Sequence, residues 1–433
     1  MNIGIVSLGC AKNQVDLEEI LAYLKKNGFE TVSDPDLSDI IIVNTCGFIE
    51  SAKKESIDAI LDRCRYGKPV VVTGCLATRY LKELKEEIPE VAEWIPLEEY
   101  KNFGEHFQKL VKDRKLTGEI NPTRRLFISP KREAYLRISD GCNNFCTFCA
   151  IPYIRGRFKS VPFETLKTEL NEREEDGIRS LTVISQDTSR YGKDIGLTLT
   201  DLVKEIVKHP TFDFVKLRYL YPDEVPQELI DLYAADNSLT PYFDLPVQHF
   251  SNNVLKHMGR RGTEQDIIDL IHRFREKVPN SIIRTTVRVG FPGETEEDVD
   301  ELIKQRKELK FDHLGCFTYC PEEGTPGARF KDQIPEDVKL ARYKRVRQTQ
   351  KRISYALNKK RIGQTYHCLV TKRSKDNLSY SCINNVYAPD DIDGERRLYS
   401  RYPLNEGDLV NAKVVNAGVY DLEAEVTDII RKA

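Results

Sequence analysis

Three short β-branched runs, each closing on a cysteine, constrain this chain more than any other feature. They are Asn2-Ile-Gly-Ile-Val-Ser-Leu-Gly-Cys10, Asp39-Ile-Ile-Ile-Val-Asn-Thr-Cys46 and Lys68-Pro-Val-Val-Val-Thr-Gly-Cys75. Unbroken runs of Ile and Val form strands buried on both faces, the habit of parallel sheets. Helical patterns lie between them, from Asp16 to Asn27 (closed by Gly28) and from Glu50 to Cys64. Strands alternating with helices imply a parallel α/β sheet, whose strand ends of one polarity share an edge where ligands bind. Cys10, Cys46 and Cys75 therefore converge. A single buried strand cysteine is usually a small apolar residue. With 11 cysteines in 433 residues, finding one at all three strand ends by chance is very improbable.

Residues from about 112 to 133 are basic, broken by Pro122 and Pro130, and read as an interdomain linker. Six further βα units follow. Their strands are expected near Ala134–Ser139, Ser180–Ser185, Phe214–Leu220, Tyr242–Pro246, Ile282–Val289 and His313–Tyr319, with helices such as Phe163–Asp176 and Thr295–Leu309 between them. This is an open, partial (βα)6 barrel with its chemistry at the C-terminal strand ends. A long helix from about Pro335 to Lys360 carries ten basic and no acidic side chains between Lys339 and Arg361. After Gly363, short alternating strands suggest a small antiparallel β-barrel. From Gln364 onward it has nine Lys/Arg against eleven Asp/Glu. The fold class is α/β multidomain.

A chain of 433 residues exceeds one ordinary core, and 40% apolar with 31% charged residues is a soluble globular balance. No apolar run approaches bilayer length, and the N-terminus lacks the basic region of a signal peptide. A cytoplasmic location is the expectation. In a reducing compartment eleven cysteines point to metal or redox chemistry rather than disulfides. A net charge of -2 gives no global signal for nucleic acid.

After the first barrel strand stands Cys142-x3-Cys146-x2-Cys149. One tight loop with this spacing caps three corners of a four-iron cluster and leaves the fourth iron open to chelate S-adenosylmethionine. Zinc would want a fourth Cys or His nearby, and none lies within the next fifty residues. Cys64, on a helix, and Cys368 and Cys382, in the tail, read as structural. Cys316 and Cys320 flank the sixth barrel strand, where they could face the site, but read as structural too.

Two three-cysteine sites, one on an α/β domain and one on a radical barrel, with a β-barrel tail, resemble the radical S-adenosylmethionine methylthiotransferases. The likeness spans essentially the whole chain. Its motifs are Ser7-Leu-Gly-Cys-Ala-Lys-Asn-Gln-Val-Asp16, Asn44-Thr-Cys-Gly-Phe-Ile49 and Gly74-Cys-Leu-Ala-Thr-Arg-Tyr80. Further along come Gln186-Asp-Thr-Ser-Arg-Tyr-Gly192, Leu245-Pro-Val-Gln-His249, Gly290-Phe-Pro-Gly-Glu-Thr295 and Glu322-Glu-Gly-Thr325. Cys320 departs from the serine expected there. The resemblance implies an N-terminal methylthiotransferase domain (1–115), a radical core (128–360) and a TRAM barrel (362–433). It implies two [4Fe–4S] clusters, on Cys10/Cys46/Cys75 and on Cys142/Cys146/Cys149. Two molecules of S-adenosylmethionine serve as methyl donor and radical source, and a reducing electron donor is needed. Phe148, Gln186, Asp187, Gln248, Gly290 and Glu294 are candidate contacts for S-adenosylmethionine, each also readable as a turn or packing residue.

Within the family the motifs stand closest to the branch that methylthiolates the β-carbon of an aspartate in small-subunit ribosomal protein twelve. A tRNA adenosine substrate is the alternative. The basic helix argues for RNA, although a solvated face joining two domains would look the same. The slightly acidic tail argues for a basic ribosomal protein. A non-catalytic iron–sulfur scaffold is a third reading, which would bind clusters without cleaving S-adenosylmethionine.

Overall fold

The computed structural model describes residues 1–128, 132–375, 377–388 and 392–433; Pro130 of the expected linker lies outside them. β1 (Asn2–Ser7), β2 (Glu30–Val32), β3 (Ile40–Thr45), β4 (Val70–Gly74) and β5 (Glu93–Ile95) make one parallel sheet, ordered β2-β1-β3-β4-β5. β3 and β4 are buried at every residue, which is why they read as continuous Ile/Val runs. Alternate residues feed opposite faces. Ile40, Ile42 and Val71 pack with Leu17, Ile20 and Leu24 of helix Ala11–Lys26, while Ile41, Val43, Val70 and Val72 pack with Ile60 of helix Glu50–Cys64. The strand order reverses between β1 and β3, and open α/β sheets bind ligands in the crevice at such a switch point. The first helix starts at Ala11, five residues earlier than the expected Asp16, with Cys10 in extended conformation as its N-cap. Its first turn, Ala11-Lys-Asn-Gln14, carries too little apolar periodicity to mark it.

β6 (Glu133–Arg137) leads into β7 (Ser139–Asp140), which pairs antiparallel with β8 (Lys159–Ser160). β9 (Ser180–Ile184), β10 (Phe214–Leu217), β11 (Leu239–Gln248), β12 (Ile282–Val289) and β13 (His313–Thr318) complete the second sheet. Its order is β13-β12-β11-β10-β9-β6, all parallel, so the half-barrel is open between β6 and β13. Three of its helices start with the same Thr-x-x-Asp capping box, at Thr198, Thr263 and Thr295, which satisfies otherwise orphaned backbone donors.

β14 (Thr365–Arg373), β15 (Tyr380–Ile383), β16 (Arg396–Tyr399), β17 (Leu409–Ala417) and β18 (Leu422–Arg431) close into a barrel ordered β14-β15-β16-β18-β17. The expectation of a wholly antiparallel barrel is corrected at one seam, where β16 and β18 run parallel because the chain from β16 must cross through β17 before returning. The barrel stoppers the half-barrel. Lys216 Nζ donates to the Asn384 and Tyr387 carbonyls, both at 2.7 Å. Tyr242 donates to Asp393, Arg284 Nε reaches Asp393 Oδ1 at 3.1 Å, and His313 Nε2 donates to the Val386 carbonyl at 2.7 Å. The segment before β6 has neither helix nor strand between Lys109 and Ile128, yet it is strapped down: buried Arg125 pairs with Glu169, and Leu126 N donates to the Glu18 carbonyl at 3.0 Å. Among the described residues no helix is long and apolar enough to cross a membrane.

Candidate active site

Two of the three N-terminal cysteines face one amide, and the third follows the neighbouring strand. Cys10 caps its helix, Cys46 follows β3, and Cys75 opens the short helix Cys75–Arg79 after β4. Asn13 Oδ1 lies 3.7 Å from Cys10 Sγ and 3.5 Å from Cys75 Sγ, while Asn13 Nδ2 donates to the Thr45 carbonyl at 2.7 Å. Ser56 fixes the third loop, accepting from Cys46 N at 3.0 Å and donating to the Cys46 carbonyl at 2.9 Å. Gly74 makes the delivery of Cys75 possible. Its φ is +92°, and a Cβ there would stand 2.5 Å from the Thr45 carbonyl oxygen.

The second set sits on the loop after β7. Cys142 N donates to the Gly156 carbonyl at 3.2 Å, and Asn144 N donates to Cys142 Sγ at 3.5 Å. Arg260 Nη1 lies 3.9 Å from Cys146 Sγ. Thr147 pins the loop, its N donating to the Met258 carbonyl at 2.9 Å and its carbonyl accepting from Gly327 N at 2.7 Å. Phe148 is buried beside Cys146 and packs edge-on against Phe291, with the Arg288 guanidinium 4.7 Å over its ring. Burial pushes Cys142 up to about 11 and both Cys75 and Cys149 up to about 12, and raises Cys46 as well. These thiols stay protonated at neutral pH until a metal takes their protons.

The strand ends above this loop leave polar atoms without partners. Gln186 Nε2 donates to Asp140 Oδ1 at 2.7 Å and Asp187 Oδ2 accepts from Asn144 Nδ2 at 2.7 Å, but Gln186 Oε1, Asp187 Oδ1 and Gln248 Oε1 are buried and unbonded. Burial lifts the Asp187 carboxyl to about 6. Gln248 closes β11 with φ +71°. Two expected contacts are placed differently. The Cβ side of Gly290, φ +75°, is filled by Lys339 of the long helix, so the missing side chain makes room for the fold's own lysine. Glu294 accepts from Gly290 N at 2.8 Å and Arg342 Nη1 at 2.9 Å, and stands 3.5 Å from His249 Nε2. One oxygen of its carboxylate is engaged by the chain itself, because the Gly290–Thr295 loop turns back onto that helix, while Oε2 is buried without a hydrogen-bond partner.

The two cysteine sets are neighbours. Cys75 packs with Ala150, the residue after Cys149, and with Ile154. On one side Arg155 reaches from the radical loop to Asn13 Oδ1 (3.2 Å) and Asp16 Oδ2 (2.6 Å). On the other, Arg79 donates to the Gly47 carbonyl at 2.8 Å and pairs with Glu322 at 3.4 Å, and Glu322 accepts from Glu50 N at 3.1 Å. Among the described residues no three His, Cys, Asp or Glu side chains close round a point that would hold a single ion. A tetrahedral zinc needs that closure, whereas a four-iron cluster takes one sulfur per iron from ligands spread round a larger body. Two sets of three thiols, each lacking a fourth donor, fit a cluster with one open iron. The unbonded acceptors at Gln186, Asp187 and Gln248 fit the ammonium and hydroxyl donors of S-adenosylmethionine. Sequence reasoning missed Asn13, Arg155 and the Arg79–Glu322 clamp. Asn13 stands three residues after Cys10, a spacing of one helical turn that was the one available hint.

Residues 2–96 match the uncharacterized protein family UPF0004, and residues 136–305 match the radical SAM superfamily. The chain is 42% identical to the ribosomal protein uS12 methylthiotransferase RimO of Clostridium kluyveri, over 99% of this chain and 98% of that one. It is 39% identical to the RimO of Clostridioides difficile, over 98% and 99%. Among solved structures, the radical S-adenosylmethionine methyltransferase TsrM from Kitasatospora setae matches with a TM-score of 0.54 at 16% identity, over 73% of this chain and 72% of that one. The cobalamin-dependent radical enzyme OxsB matches at 0.51 and 14%, over 80% and 56%. These two share the fold.

Proposed function

The chain belongs to the RimO family of radical S-adenosylmethionine methylthiotransferases, and from that premise we propose that its two cysteine sets hold two clusters across one cavity, where a methylthio group is joined to the β-carbon of an aspartate in ribosomal protein uS12. It is an enzyme, a sulfur-transferring transferase with two [4Fe–4S] clusters and S-adenosylmethionine as cofactors and uS12 as substrate partner. The observation that carries the reading is the packing of Cys75 against Ala150, which makes the two thiol sets adjacent.

Bound at Cys142, Cys146 and Cys149, the cluster would supply the electron that cleaves S-adenosylmethionine, and the cluster at Cys10, Cys46 and Cys75 would present the sulfur to be transferred. The chain's own residues bind and orient. Gln186 Oε1 and Asp187 Oδ1, buried acceptors without partners, would take hydrogen bonds from the ammonium of S-adenosylmethionine, and Gln248 Oε1 from its ribose. Phe148 stands buried beside Cys146, with the Arg288 guanidinium over its ring. Gly290 and Glu294 hold the loop beside it in shape.

The tRNA alternative is not favoured. Of the ten cations between Lys339 and Arg361, Lys339, Arg342, Arg345 and Arg361 are paired with Glu336, Glu294/Glu296, Glu296/Asp300 and Asp312, and Arg347 lies over Tyr420. Half of these cations thus already have partners within the chain. We assign the enzyme to the cytoplasm, with a reducing electron donor, and divide the chain at 1–115, 128–360 and 362–433. The test offers anaerobically reconstituted enzyme, reductant and S-adenosylmethionine to small ribosomal subunits, free uS12 or bulk tRNA. Mass spectrometry should show a methylthio gain on a uS12 aspartate; the same gain on a tRNA adenosine would overturn the reading.

A further inference from the structure

Arg155 occupies an unusual position. Its side chain is 1% exposed and lies between the two cysteine sets, six residues after Cys149. It donates to Asp140 Oδ2 at 3.1 Å, two residues before Cys142, and so ties the two ends of the radical loop together. It also donates to Asp16 Oδ2 at 2.6 Å and to Asn13 Oδ1 at 3.2 Å on the N-terminal helix. Asn13 Oδ1 is the atom facing Cys10 and Cys75 at 3.7 and 3.5 Å, so the guanidinium stands one amide away from both sulfurs.

This matters most once the cysteines ligate iron. Both thiols then lose the hydrogens they offer to Asn13 Oδ1, leaving Arg155 as the one described donor to that oxygen. The same guanidinium is a fixed positive charge beside the N-terminal ligand set and two carboxylates, Asp16 and Asp140, in surroundings where charge is weakly screened. We propose that Arg155 is a positioning residue that holds Asn13 against the N-terminal cluster and raises that cluster's reduction potential, allowing two anionic centres to sit side by side. A nearby cation favours the more negative, reduced state, so its removal moves the potential down.

The inference rests on the two-cluster reading, and the test separates them. In the full chain carrying Cys142→Ala, Cys146→Ala and Cys149→Ala, only the N-terminal cluster can assemble. Iron content and the visible spectrum establish that it has, and a dithionite titration followed by electron paramagnetic resonance gives its potential. Arg155→Met in this background should move the potential negative by about 59 mV or more, a tenfold change in the one-electron equilibrium. Arg155→Lys, which keeps the charge, should recover most of that shift. A second variant, Asn13→Asp, adds a negative charge at the amide and should also move it negative. An intact cluster with an unchanged potential in Arg155→Met overturns the inference and leaves the two-cluster reading standing. Loss of the cluster from both Arg155 variants overturns it too, since charge would then be irrelevant. No cluster in the parent background overturns the reading itself.

Discussion

Cys75 and Cys149, pushed up to about 12 by burial, are poor nucleophiles and poor free ligands, and become thiolates at neutral pH only in exchange for a metal. Replacing one cysteine of a set should therefore cost the whole cluster on that set. Cys75→Ala and Cys146→Ala are each expected to lower bound iron from about eight to about four per chain, measured after anaerobic reconstitution. Only Cys146→Ala should abolish 5′-deoxyadenosine formation. Asp187 gives a residue-level prediction of another kind. Its carboxyl titrates at about 6 when folded against 3.8 ordinarily, because burial disfavours the charge. Between those values the folded chain keeps a proton that the unfolded chain has lost, so this residue's contribution to stability falls as pH rises through that window and stays low above it. Asp187→Asn in the cluster-free protein should gain up to about 2–3 kcal/mol at pH 7.5 in urea unfolding, the gap narrowing toward pH 5. A variant less stable than wild type at pH 7.5 would count against the buried, strained carboxylate.

At the scale of elements, most strands were legible because buried parallel strands write themselves as Ile/Val runs, and β12 was placed to the residue. β2 and β5 were not, being three-residue edges with no room for a pattern. The parallel β16–β18 seam was not either, since pairing between distant strands leaves no local trace. The strand-end positions of Cys10, Cys46 and Cys75 were legible because the Ile/Val runs that end on them mark where each strand stops. Gly290 and Glu294 show the limit: a motif marks a strand end but does not say what its loop meets, and here Glu294 reaches Arg342 while Lys339 fills the space beside Gly290, both from the long helix. The stopper between β10 and the C-terminal barrel yields a further prediction. Burial pushes the Lys216 ammonium down to about 7 from 10.5. Between those values the unfolded chain binds the proton that the folded chain has released, so stability contributed by Lys216 rises with pH across the window. The unfolding free energy of wild type minus that of Lys216→Met should grow from pH 7 to pH 9.5, and a difference flat with pH would contradict the assignment.

Across the whole molecule, the three sheets are tied at their interfaces rather than strung on flexible joins. Arg155 and Arg137 bind Asp16 on one side of the first interface, Arg79 binds Glu322 on the other, and Asp393 of the C-terminal barrel sits on Tyr242 and Arg284. Such a frame fixes the separation of the two cysteine sets, which a reaction joining a carbon radical to a sulfur requires. Breaking the clamp with Arg79→Ala should leave iron at about eight per chain while uncoupling 5′-deoxyadenosine formation from methylthio transfer. The most direct test of the central claim is electron paramagnetic resonance of the dithionite-reduced, fully reconstituted protein, compared with the two forms that lack one cysteine set each. Two clusters facing one cavity predict spin–spin broadening and faster relaxation in the intact protein that neither single-cluster form shows. A spectrum equal to the sum of the two single-cluster spectra would place the centres apart and contradict the account.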